Sequence, residues 1–158
     1  MSEQQQPRAT RVLGVQREGT GVPTSAKENS KYKVGEEIGI LLDEVLNNSI
    51  RAVFVYDDFS GAFSDFELYS LAQVFRNNHS VLSITISGCD IGDEMVSTLC
   101  ESLVHSKVQS IDLTTTPLDD DAGRSLAALA LNNTNLRTVI VDDTLISEDI
   151  MDEIDMAC

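Results

Sequence analysis

Tryptophan is absent from this 158-residue chain, and aromatic residues together make up only 5% of it. A core made without large rings must be filled by Leu, Ile, Val and Ala, which suits layers of small branched side chains packed on one another. Cysteine is scarce as well. Cys89, Cys100 and Cys158 are odd in number and lack metal-type spacing, so neither a disulfide framework nor a zinc site is expected. No apolar run is long enough for a membrane span, and no basic-then-apolar start marks a signal peptide, so the expected location is cytoplasmic. Arg8, Arg11 and Arg17 lie near the start without a clear amphipathic face, which argues against a mitochondrial address. Bases are few: 11 Lys and Arg stand against 26 Asp and Glu, a formal net charge of -15. Such an acidic chain repels nucleic acid and anionic membrane, and neither is expected as a partner.

What the chain does have is 42% apolar residues, enough for the core of one domain. Its charge is divided along its length. Residues 1–33 hold six of the bases (Arg8, Arg11, Arg17, Lys27, Lys31, Lys33) but only three of the acids (Glu3, Glu18, Glu28). Apart from the short run Val12-Leu13-Gly14-Val15, this head shows no strand or helix period. It is expected to be a flexible or only locally ordered basic tail, residues 1–33, ahead of a folded acidic body, residues 34–158.

Self-similarity organises the body. Val81-Leu-Ser-Ile84-Thr-Ile86-Ser-Gly-Cys89-Asp-Ile91, Val108-Gln-Ser-Ile111-Asp-Leu113-Thr-Thr-Thr116-Pro-Leu118 and Leu136-Arg-Thr-Val139-Ile-Val141-Asp-Asp-Thr144-Leu-Ile146 superimpose without gaps. Each has apolar residues at relative positions one, four, six and eleven and a small hydrogen-bonding residue at nine. An earlier copy, Ile50-Arg-Ala-Val53-Phe-Val55-Tyr-Asp-Asp58, matches through position nine and then becomes irregular. The repeats therefore start at residues 50, 81, 108 and 136. Between them lie amphipathic stretches: Ser64-Asp-Phe-Glu67 has capping-box spacing ahead of Leu68, Leu71, Val74 and Phe75, Asp93 opens Met95, Val96, Leu99 and Leu103, and Asp120 or Asp121 opens Ala122, Leu126, Leu129 and Ala130. A further helix from about Gly35 to Leu46, with Ile38, Leu41, Leu42, Val45 and Leu46 on one stripe, is placed to cap the stack. The pairs Asn47-Asn48, Asn77-Asn78 and Asn132-Asn133 end three helices, where asparagine tolerates the left-handed closing conformation.

This pattern and period resemble the leucine-rich repeats of the ribonuclease-inhibitor type. The resemblance covers nearly all of residues 34–158. It implies an α/β fold: a short right-handed solenoid with parallel strands on its concave face and helices on its convex face. A doubly wound sheet is the competing arrangement. The column at position nine (Asp58, Cys89, Thr116, Thr144) is expected to point inward and satisfy backbone groups at the turn.

Chemistry has little to stand on. His79 and His105 fall in helix-to-strand connections without partners at triad or metal spacing, and Asp119-Asp120-Asp121 fails the EF-hand pattern but suits a helix N-cap. Gly14, Gly19 and Gly21 do not make a phosphate loop. No catalytic residue, metal site or cofactor is expected, and the chain reads as a non-catalytic scaffold for protein binding. Strand alternation sends positions two, three, five, seven and eight away from the core. Position five runs Phe54, Thr85, Asp112, Ile140; position seven runs Tyr56, Ser87, Thr114, Asp142; position eight runs Asp57, Gly88, Thr115, Asp143. The expected partner-binding residues are Phe54, Tyr56, Asp57, Thr85, Asp112, Thr114, Ile140 and Asp142, facing a protein whose identity the sequence does not give. Phe54 and Tyr56 serve equally well as anchors for a partner or as packing beneath the tail or the Phe59–Phe63 loop, and that loop serves recognition or closes the end of the core.

The body is also similar to the C-terminal leucine-rich domain of the tropomodulins, Asn-rich connectors included, which implies actin or cytoskeletal binding as the alternative function. The Ran GTPase-activating proteins use the same repeat, which implies GTPase regulation as a third. The last strand has no following repeat to cover it, so association through that C-terminal edge, as a weak homodimer or by capture of a partner's strand, is a further expectation.

Overall fold

The computed structural model describes residues 10–14, 34–56 and 65–158. Ten elements alternate along them: β1 (Thr10–Gly14), α1 (Val34–Leu46), β2 (Ala52–Tyr56), α2 (Asp65–Phe75), β3 (Ser83–Ser87), α3 (Asp93–Leu103), β4 (Ser110–Asp112), α4 (Asp120–Asn132), β5 (Thr138–Ile140) and α5 (Glu148–Ala157). The strands form one parallel sheet whose spatial order is the order of the chain. Helices pack beside their sequence neighbours, so successive units rest on one another.

The expected register holds. Positions one, four, six and eleven line the space between sheet and helices: Val81, Ile84, Ile86 and Ile91 in one repeat and Val108, Ile111, Leu113 and Leu118 in the next are all buried. From the helix side come Leu68, Leu71, Ala72 and Phe75, then Val96, Leu99 and Leu103, then Ala122, Leu126, Leu129 and Ala130. Among the described residues Phe75 is the aromatic ring of this core; apart from Cys89 and Cys100 the rest is aliphatic, as a chain with few aromatics requires. Position nine turns inward as well. Thr116 Oγ1 donates to the Leu113 carbonyl at 2.6 Å, Thr144 Oγ1 to that of Val141 at 2.7 Å, and the buried Cys89 thiol reaches the Ser87 carbonyl at 3.5 Å. Asp58 lies outside the described residues.

Three expectations are corrected. Thr10–Gly14, assigned to the tail, is the first strand, paired in parallel with β2 from Thr10↔Ala52 to Gly14↔Tyr56. The physical reason is that an edge strand is held by backbone hydrogen bonds, which a five-residue stretch supplies without a long apolar period. The rest of residues 1–33 lies outside the described residues. It follows that α1 is the helix of a leading β1–α1 unit rather than a cap ahead of the first strand. It buries Ile38, Leu41 and Val45, while Leu46 is 54% exposed and leaves the expected stripe.

The third correction concerns the asparagine pairs. Only Asn48 adopts the left-handed conformation, at φ 56°. The second asparagine of the other pairs is buried and works through its side chain. Asn78 Nδ2 donates back to the Val45 carbonyl at 2.7 Å, and its Oδ1 accepts from the backbone of Ser80 and Val81. Asn133 Nδ2 donates to the Leu103 carbonyl at 2.7 Å and its Oδ1 accepts from Asn135 N. A carboxamide carries two donors and an acceptor, so one side chain closes its own turn and also satisfies the orphan carbonyl at the end of the previous helix.

Glycine lets helix α4 meet α5 and the turn before it closely: a Cβ at position 123 would sit 2.5 Å from Ile150 Cγ2 and 3.0 Å from Ile146 Cγ2, so a larger residue there forces its neighbours to shift.

Candidate protein-binding face

In β2–β5 positions three, five and seven face away from the helices and are exposed or half-buried, so this face of the four strands is open among the described residues. Pairing places Val12, Phe54, Thr85, Asp112 and Ile140 side by side across all five strands, the position-five row expected for four of them. Phe54 is 37% exposed. It stands edge-to-face with Tyr56, ring centroids 5.8 Å apart, an arrangement in which the ring quadrupoles favour contact. Beyond the pair the face becomes small and hydroxylated through Thr85 and Ser87, then acidic. Asp112 Oδ1 accepts from Thr114 N at 2.9 Å and from Thr114 Oγ1 at 2.5 Å, so the Asp112 carboxylate holds Thr114 in place. Ile140, expected to be exposed, is half-buried beside Asp112. Asp142 is exposed at the end of the same row system and takes the Thr115 N–H on its carbonyl at 3.0 Å. Asp57 and the Phe59–Phe63 loop lie outside the described residues.

Position eight departs from strand alternation. Gly88, Thr115 and Asp143 all have left-handed backbones, at φ 68°, 57° and 56°. This is the residue at which each strand bends towards its helix, so position eight lines a rim, not the face. Thr115, a β-branched residue in this conformation, is held by Oγ1 donating to the Thr114 carbonyl at 2.6 Å and sharing a hydrogen bond with Ser87 Oγ at 3.2 Å. At this rim Thr115, Thr116, Pro117, Asp143 and Leu145 surround an open hollow of about 340 Å³.

A second row was not foreseen. The acid that opens each helix reaches forward to the next unit: Asp65 Oδ1 accepts from Gly92 N at 2.9 Å, Asp93 Oδ1 from Asp119 N at 3.1 Å, and Asp120 accepts from Ser147 N at 2.7 Å and Ser147 Oγ at 3.1 Å. Each rung satisfies a backbone donor at the N-terminal end of the following helix. The signal was present as an acid at relative position thirteen of each of the last three repeats (Asp93, Asp120, Glu148), which helix-dipole reasoning alone had absorbed. The rungs differ electrically. The Ser147 backbone N–H holds the Asp120 carboxyl below its ordinary value. Burial, with Asp119 and Asp121 nearby, pushes that of Asp93 up. Asp119 itself caps α4, accepting from Asp121 N at 3.0 Å.

Cys100 lines a groove of about 270 Å³ between α3 and α4, but burial pushes its thiol up to about 12, so it stays protonated at neutral pH. His79 and His105 are exposed. Among the described residues no group of three or more His, Cys, Asp or Glu is placed to hold a metal, and no helix is long and apolar enough to cross a membrane.

No protein-family model matches the chain, and no curated protein matches it in sequence. Among solved structures it is similar to the actin-binding site 2 of leiomodin-1, with a TM-score of 0.61 and 16% sequence identity over 73% of this chain and 69% of that one. At that identity the likeness is one of fold, a leucine-rich-repeat-like alternation of parallel strands and helices.

Proposed function

We propose that this chain is a non-catalytic protein-interaction module that engages a protein partner through the open sheet face of its first units, in the cytoplasm. The observation that carries the reading is the Phe54–Tyr56 pair. In a core built almost wholly of aliphatics, these two rings stand on the open face instead, beside hydroxyls and carboxylates that can orient a partner. Aromatic anchors ringed by polar groups are the composition of binding hot spots. The architecture that goes with this reading is a right-handed solenoid of the ribonuclease-inhibitor type with that face concave. Its support is the 27- to 31-residue spacing of the repeats, the inward column at position nine, and the right-handedness of nearly all parallel strand–helix–strand crossovers.

A second reading, actin or cytoskeletal binding, is favoured by one observation: the fold is similar to that of an actin-binding site in leiomodin-1. Co-sedimentation with filamentous actin tests it directly. Under this reading the wild-type chain pellets with filaments, and Phe54→Ala/Tyr56→Ala weakens the association by about tenfold or more without lowering the melting temperature in proportion. A wild-type chain that stays in the supernatant removes actin as the partner. A partner found by other means whose affinity ignores the double variant moves the site off this face.

A further inference from the structure

The units of the stack offer their successors three kinds of contact. The carbonyl at position two accepts from the next unit's position two: Arg51 from Leu82 N at 2.6 Å, Leu82 from Gln109 N at 2.7 Å, Gln109 from Arg137 N at 2.8 Å. An even-numbered N–H points the same way, as Leu113 N donating to the Ile140 carbonyl at 2.8 Å. The helix-opening acid accepts a backbone N–H of the next unit. In the last unit Arg137, Val141 and Glu148 hold these three places, and among the described residues no strand lies along the outer edge of β5. Val139, at position four, is only partly buried there, whereas Ile84 and Ile111 are 0% and 1% exposed.

Among the described residues the sheet has one other edge, β1. From position three onward, even positions address the successor and odd positions the predecessor, as in Leu113 N donating to the Ile140 carbonyl at 2.8 Å and Thr138 N to the Gln109 carbonyl at 3.1 Å. By register Thr10 and Val12 hold positions three and five, so their backbone groups point to the side where, among the described residues, no strand stands. Charge differs between the two ends in the same complementary sense. From Leu136 onward the chain has one base, Arg137, against Asp142, Asp143, Glu148, Asp149, Asp152, Glu153 and Asp155, while residues 1–33 are net basic and place Lys31 and Lys33 just ahead of α1. In a continued stack, the start of α1 follows Glu148 as Gly92 follows Asp65.

We propose that the outer edge of β5 pairs in parallel with the outer edge of β1 from a second copy of this chain, continuing the sheet head to tail. The contact joins two different surfaces, so it does not stop at a symmetric dimer; the assembly grows by addition at either end. It rests on the two sheet edges and is independent of the open face.

Sedimentation velocity at low ionic strength tests this with two variants. Val139→Pro removes an outward N–H of β5, and Val12→Pro removes one of β1, each leaving the donors that face the sheet interior untouched. The wild-type chain is expected to sediment faster as concentration rises, past the dimer, and to revert as salt is added. Either variant alone lacks one of the two edges in every molecule and stays monomeric, while an equimolar mixture forms a dimer and nothing larger. Melting curves confirm that both fold. Glu148→Lys/Asp149→Lys alters only exposed side chains and is expected to weaken assembly by about tenfold. The proposal is overturned by a wild-type chain that remains monomeric throughout, by a single variant that assembles like wild type, or by a mixture that stays monomeric while wild type assembles.

Discussion

β4 and β5 are three-residue strands with the same pairing register and nearly the same pattern, Ser-Ile-Asp and Thr-Val-Ile. Their position-four residues nevertheless differ sharply: Ile111 is 1% exposed and Val139 only partly buried. Among the described residues β4 has a neighbour on both sides and β5 on one. Burial in this fold is thus supplied mostly by the adjoining unit, and two similar segments contribute unequally because of where they stand.

Ile111→Ala and Val139→Ala together test that difference. The first removes a side chain sealed between two strands and the helix layer, and a urea melt is expected to show a loss of about 2–5 kcal/mol. The second deletes part of a half-solvated side chain and is expected to cost about 1 kcal/mol. Equal losses would mean that something covers β5 as fully as β4 is covered. Gly123→Ala ranks between them. Its new methyl group meets the branched Ile150 side chain at 2.5 Å, an overpacking cost of about 1–3 kcal/mol from which the better helix propensity of alanine recovers up to about 1 kcal/mol. A melting temperature raised by Gly123→Ala would show that α5 can move away from α4, and so that the last helix is as loosely held as the last strand.

The smallest expected effect compares two rungs of the aspartate row. Because the folded-state carboxyl of Asp120 is depressed below its unfolded value of about 3.9, its contribution is present above that pH and is lost as pH falls through the folded value. Asp120→Asn is therefore expected to destabilise at neutral pH, with the difference from wild type vanishing in acid. Asp93 is raised, so its ionised form is the disfavoured one in the folded chain, and Asp93→Asn, which keeps an oxygen for Asp119 N, is expected to be neutral or stabilising at pH 7. Thermal melts of the two variants between pH 3 and 7 separate these outcomes; parallel losses would mean that the rungs act as simple hydrogen bonds, indifferent to charge.

Repetition explains which features could be read in advance. Ile84, Ile111 and Leu113 occupy places that recur, and a recurring apolar residue is buried for the same reason each time, so the core columns and the alternating placement of Phe54 and Tyr56 were legible. β1 was not, because a strand held at an edge by its backbone needs no apolar pattern, and Arg11 stands where other units have Val or Ile. Position eight was hidden for a related reason. Gly88, Thr115 and Asp143 share a backbone angle but no side-chain property, so their column has no signature in residue type. Asn78 and Asn133 show their location in the sequence but not their task. A C-cap explains an asparagine from local geometry alone, and only the three-dimensional neighbour at Val45 or Leu103 shows that the carboxamide binds one unit to the previous one.

The agreement between strand order and chain order has a mechanical consequence. When the two termini are pulled apart, no strand is trapped between two others that come from distant parts of the chain. Each unit that yields frees only its own length and leaves a shorter sheet with a fresh edge behind it. A stretched molecule should therefore lengthen in a series of similar small steps, one strand and helix at a time, rather than in one rupture. The same lack of long-range pairing lets a released unit re-form on the edge that remains as soon as tension drops, without the rest of the chain having to unfold and begin again.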